Sequence, residues 1–131
     1  MNGRPGRYLL DTNAVVALLQ GHAGLGQHLS DAEWLGISII TQLEFLAFPE
    51  LSTDDIDHFQ HFVQRVNVIG LTPYATTYLQ TIVRIRQQYR LRLPDAIIAA
   101  SALEYAATLV TADQQLHGVP ELSVLDFSQQ L

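Results

Sequence analysis

Short apolar runs rich in β-branched residues alternate along this chain with longer stretches whose apolar residues recur every three or four positions. Such alternation is the mark of strand–helix–strand units, in which each helix carries the chain back across the sheet and the strands lie parallel. "RYLL" (7–10) reads as the first strand and "NAVVALLQ" (13–20) as a helix ending near Gly21. "WLGISII" (34–40) is the second strand, and "TQLEFLAF" (41–48) a short helix stopped by Pro49. Ser52 and Thr53 have N-cap chemistry for a helix whose Ile56, Phe59, Phe62, Val63 and Val66 share a face. "VNVIGL" (66–71) is the third strand, and Thr72 with Pro73 is expected to open a long helix carrying Tyr78, Ile82, Ile85 and Tyr89 on its apolar side. Leu93 to Ala107, the most apolar helix, is expected against the sheet, and "TLVT" (108–111) and "LSVLDF" (122–127) complete five strands.

A chain of 131 residues without repeats or low-complexity segments is the length of one domain, expected to span residues 1–131. No apolar run approaches the ~18 residues of a membrane span, and "MNGRPGRYLL" has no signal-peptide pattern. The absence of cysteine excludes disulfides, thiolate metal sites and cysteine nucleophiles, and fits a reducing cytoplasm. All seven basic residues are arginine. Without lysine, the chain has neither the phosphate-cradling lysine of a P-loop nor a Schiff-base nucleophile, and it lacks the lysine used by phosphotransfer and phosphatase folds with acidic pockets. A net charge of −6 is unusual for a nucleic-acid binder, yet Arg84, Arg86, Arg90 and Arg92 fall together just upstream of Asp95.

Four acids stand where such a fold builds its sites. Asp11 ends the first strand, Glu44 lies one turn into the helix after the second, Asp95 opens the alanine-rich helix behind Pro94, and Asp113 follows the fourth strand. Open parallel sheets bind ligands beyond the carboxyl ends of their strands. Two carboxylates about 4 Å apart repel by roughly 4 kcal/mol at an effective dielectric near 20. A divalent cation removes that penalty, and an all-oxygen donor set suits Mg²⁺ or Mn²⁺. The matching chemistry is metal-assisted phosphodiester hydrolysis. Each acid also has a plainer reading: Asp11 and Asp113 as helix caps, Asp95 as a complement to a helix dipole, Glu44 as a solvated residue. The arginine run reads equally as a phosphate contact or a solvated helix face. His58 and His61 read as surface residues.

"LLDTNAVVALL", "TQLEFLAF", "LPDAIIAASAL" and "LVTAD", in that order, resemble the PIN domain family, most closely the VapC-type ribonuclease toxins. The resemblance covers about Tyr8 to Phe127 and implies a Rossmann-like three-layer α/β/α sandwich with a central, mostly parallel sheet. It implies a Mg²⁺- or Mn²⁺-dependent endoribonuclease with Asp11, Glu44, Asp95 and Asp113 as catalytic metal ligands and Thr12, Asn13 and Thr111 as polar support. It further implies RNA as substrate, a homodimer and a cognate antitoxin protein, and the placement of Arg84, Arg86, Arg90 and Arg92 beside Asp95 makes them candidate RNA contacts. Two departures stand out: Ala112, where many relatives carry a polar residue, and the acid-poor "DQQLHGV" (113–119). They motivate a rival expectation, a catalytically weak PIN-like module for RNA binding or protein interaction.

Overall fold

The computed structural model describes residues 3–129. Five strands, β1 (Arg7–Leu10), β2 (Trp34–Ser38), β3 (Asn67–Ile69), β4 (Thr108–Val110) and β5 (Val124–Leu125), form one sheet in the order β3-β2-β1-β4-β5. Every pairing is parallel, and β1 is central, with Leu9 opposite Gly36 on one side and Leu109 on the other. Strand order runs outward from β1 through β2 and β3, then restarts at β4, so the reversal that opens a crevice in such sheets lies between β1 and β4.

Alternate residues of the strands feed two apolar cores, one on each face. Leu9 and Leu109 meet Tyr78, Ile82 and Ile85 of α5 (Thr76–Tyr89) and the buried face of α6 (Leu93–Glu104). Leu10, Ile37 and Val110 meet Ala14 and Val15 of α1 (Thr12–Leu19), Leu25 and Leu29 of α2 (Ala23–Leu29), Phe45 of α3 (Ile39–Leu46) and Phe59 of α4 (Thr53–Val63). A sheet covered on both faces explains why its strands read as continuous apolar runs. The fold is therefore the three-layer sandwich expected, with an all-parallel sheet. Residues Asp95 to Ala102 of α6 are all buried, which places the alanine-rich helix against the sheet, and α5 packs outside it. Its one buried hydroxyl, Ser101, donates to Ile97 O at 2.7 Å and meets Tyr78 Oη at 2.5 Å.

Boundaries shift where the sequence offered two possible states. Ile39 and Ile40 are apolar enough for β2 but belong to α3, because Ser38 caps it by accepting from Ile40 N at 3.0 Å. The long helix does not begin at Thr72 and Pro73. Thr72 Oγ1 instead accepts from Tyr74 N at 3.1 Å in a turn, and α5 starts at Thr76. The C-terminal end of α6 stops at Glu104, and Ala106 turns with a positive φ of 51°. Helix α2 has no counterpart in the sequence reading. No described helix is long and apolar enough to cross a membrane.

Candidate functional site

Beyond the carboxyl ends of β1 and β4 lies a cleft of about 500 Å³ lined by Asp11, Thr12, Asn13, Glu44, Ala47, Phe48, Arg92, Asp95 and Asp113. All four acids expected from the sequence border this one space. Each arrives on a short lever from the sheet: Asp11 as the residue after β1 and N-cap of α1, Glu44 in α3, Asp95 in the first turn of α6, Asp113 as N-cap of α7 (Gln114–His117). The capping roles and the cleft positions of Asp11 and Asp113 are thus compatible. Asp113 Oδ1 accepts from Gln115 N at 2.9 Å.

Asp11 is the best-held of the four, only 5% exposed. Its Oδ1 accepts from Thr12 N at 2.8 Å, and its Oδ2 from Thr111 Oγ1 at 2.7 Å and Asn13 Nδ2 at 3.2 Å. Burial raises its pKa, the donors from Thr111 and Thr12 pull it back, and the charges of Asp95 and Glu44 push it up again. Its ionised form is thus costly in the folded chain, and a cation in the cleft would relieve that cost.

The polar helpers form a brace between strands. Asn13 donates to Asp11 Oδ2 and to Thr111 Oγ1, both at 3.2 Å, while its Oδ1 accepts from Ala112 N at 3.0 Å. Thr111 Oγ1 also accepts from Asp113 N at 3.0 Å. Position 112 therefore serves through its backbone, and its methyl packs into the apolar core. Thr12 Oγ1 donates to Glu44 Oε1 at 2.6 Å and lies 3.3 Å from Thr41 Oγ1. Thr41, fully buried, is a member of this network that the sequence reading missed, since one threonine on a short helix carries no local signal.

The arginine run divides. Arg92 lines the cleft, and its Nε donates to Asp95 Oδ2 at 3.2 Å. That bond, with the charges of Asp95, Glu44 and Asp113, raises the pKa of its guanidinium. Arg84 faces elsewhere, bound through Nη1 and Nη2 to Glu121 at 2.8 and 2.7 Å. Arg86 and Arg90 are exposed and do not line the cleft. Among the described residues, no three histidine, aspartate or glutamate side chains are arranged to hold a metal ion. His58 and His61 are exposed, and His61 Nδ1 lies 2.8 Å from Asp57 O.

A family model, described as the PIN domain, matches residues 8–122. The chain belongs to the PIN domain family. No curated protein matches it significantly by sequence. Among solved structures, this PIN domain is similar to a chain of a toxin-antitoxin complex from Klebsiella pneumoniae. The two share 27% identity over 91% of this chain and 96% of that one, with a TM-score of 0.74. It is similar in fold to a chain of VapBC-1 from nontypeable Haemophilus influenzae, at 23% identity, 93% and 98% coverage and a TM-score of 0.76. Another such likeness is to a chain of VapBC2 from Rickettsia felis bound to a promoter DNA fragment, at 20% identity, 90% and 96% coverage and a TM-score of 0.75.

Proposed function

We propose that this PIN domain is a VapC-type toxin, an endoribonuclease dependent on Mg²⁺ or Mn²⁺ that acts in the cytoplasm and is silenced by a cognate antitoxin. The observation that carries the reading is Asp11: a carboxylate with three hydrogen-bond donors, whose pKa is raised chiefly by burial and further by the charges of Asp95 and Glu44 in the same cleft. The donor set is all oxygen, Asp11, Glu44, Asp95 and Asp113, which suits a hard divalent cation. A bound cation would polarise the scissile phosphate and make water nucleophilic at neutral pH. Asn13 and Thr111 fix the Asp11 carboxylate, and Thr12 fixes that of Glu44, so both acids are aimed before substrate arrives. The cleft has neither cysteine nor lysine, and its Thr12 hydroxyl donates to Glu44, so water is the attacking group in this reading.

The antitoxin partner is supported by the toxin-antitoxin complexes among the similar structures. Beside the acid cleft and sharing Phe48 with it lies an apolar groove that includes Val16, Leu19, Phe45 and Leu51, the natural bed for an antitoxin segment reaching the acids. A homodimer is the expected assembly of the toxin.

The deciding experiment is cleavage of end-labelled single-stranded and structured RNAs with Mg²⁺, Mn²⁺ or EDTA, run beside Asp11→Asn and Asp95→Ala. Cuts that vanish in EDTA and in both variants are expected. Retained cleavage by folded Asp95→Ala protein would overturn the assignment. A second reading, a module that binds RNA without turnover, draws on the absence of a ready three-ligand metal group among the described residues. RNA binding without any cuts at saturating metal would favour it.

A further inference from the structure

Among the described residues, Arg92 is the one cation lining a cleft whose other charged groups are carboxylates, and it sits there against two local rules. It is the N-cap residue of α6, yet its side chain makes no capping bond, where Ser, Thr, Asp or Asn would satisfy a free N–H. It also sets a positive charge at the positive end of a helix dipole. Residues that break local rules beside a site are expected to be kept for what they do there. Leu91, 3% exposed, pins the backbone just before it. The bond from Nε to Asp95 Oδ2 then holds the side chain at the cleft, where it stays 76% exposed. Among the described residues, Nη1 and Nη2 have no hydrogen-bond partner.

A guanidinium held by one edge, with its outer fork open over a site for phosphodiesters, has the geometry for a bidentate phosphate contact. We propose that Arg92 is the substrate-phosphate anchor of this cleft, its two Nη groups taking the non-bridging oxygens of one backbone phosphate of single-stranded RNA while Nε stays on Asp95. The inference rests on the ribonuclease reading for its ligand, but it concerns binding rather than bond breaking. The other arginines of the run do not compete for the role: Arg84 is paired with Glu121, and Arg86 and Arg90 lie outside the cleft lining.

The test is equilibrium binding of a fluorescein-labelled single-stranded oligoribonucleotide to Asp11→Asn protein in Mg²⁺, with and without Arg92→Gln, across a salt series. Arg92→Gln should weaken binding about tenfold and flatten the slope of log affinity against log salt by about one. Arg92→Lys should recover the salt slope but only part of the affinity, and Arg86→Gln should change neither. Thermal melts of each variant establish that it is folded, and Mn²⁺ titration followed by the melt, with Asp11 intact and with or without Arg92→Gln, reads the metal site separately. Unchanged affinity and slope in Arg92→Gln would overturn the proposal, as would a loss of RNA binding matched by a loss of Mn²⁺ binding. Absence of cleavage by the unmutated chain, with the Arg92 effect on binding intact, would instead remove the ribonuclease reading and leave the phosphate anchor standing.

Discussion

Thr111 shows how much of this site one hydroxyl carries. It donates to Asp11 Oδ2 and accepts from Asn13 Nδ2 and Asp113 N. Thr111→Val keeps the shape and deletes all three contacts, leaving a buried carboxylate one donor short. Hydrogen bonds to charged groups contribute about 1.5–3 kcal/mol, and urea unfolding at neutral pH should show a loss of that order. The sign with pH follows from Asp11. The Thr111 donor lowers its pKa by favouring the ionised form, so the deficit should be largest where Asp11 is ionised and shrink as acid protonates it. Asp11, Asp95 and Asp113 were legible in the sequence as cleft residues because each sits beside a strand end or helix start, which a periodicity reading locates to within a residue or two, whereas Glu44 lies in the second turn of α3. The fate of the arginines was not legible. Arg84 is taken up by Glu121, 37 residues away, and nothing local to either announces that pairing.

At the scale of elements, the shifted starts of α3 and α5 come from local side-chain bonds at Ser38 and Thr72, while the helix missed outright draws on tertiary support. Helix α2, "AGLGQHL", carries two glycines in seven residues and would be marginal in isolation. It forms because His22 Nδ1 caps it by accepting from Leu25 N at 3.0 Å, and because Leu25 and Leu29 enter the core. In β2, Gly36 lies directly beneath the Trp34 indole, which stacks on Tyr105 at 5.5 Å between ring centres and carries the Arg7 guanidinium at 4.8 Å. A Cβ at position 36 displaces that ring, so Gly36→Ala should cost about 1–3 kcal/mol in a urea titration. The loop before β5 is tied to α5 by Glu121, which accepts from both Arg84 Nη groups and from Tyr89 Oη at 2.8 Å. Those donors lower the Glu121 pKa, Arg84 first. The stability they add is present above the unfolded-state value near 4.3 and is lost as pH falls through the lower folded-state value. Both side chains are partly exposed, so Glu121→Gln should cost under about 1 kcal/mol at neutral pH, and the difference should close in acid.

For the whole molecule, the fold buries the Asp11 carboxylate and, to a lesser degree, sets it near the charges of Asp95 and Glu44, so its ionised form is costly, and a cation that binds only the folded state would offset that cost. Mg²⁺ or Mn²⁺ at a hundred times its dissociation constant should add about 2.7 kcal/mol. In a domain of this size that is a rise of roughly 10 °C in melting temperature, readable by calorimetry and absent in Asp11→Ala. The class of fold was legible because both faces of the sheet are covered, so strands and helices each bear an uninterrupted apolar signature. The sheet order was not, because adjacency of β1 and β4 is a long-range fact. That adjacency has a consequence in time. The bond from Thr111 to Asp11 joins residues 100 apart, and at roughly 5–20 residues per second a ribosome spends about 5–20 s between making one and the other. Within that interval the chain gains Glu44 and then Asp95 while Asp11 still lacks the Thr111 donor that holds its carboxylate, so the arrangement of the cleft is completed only after most of the chain has been made.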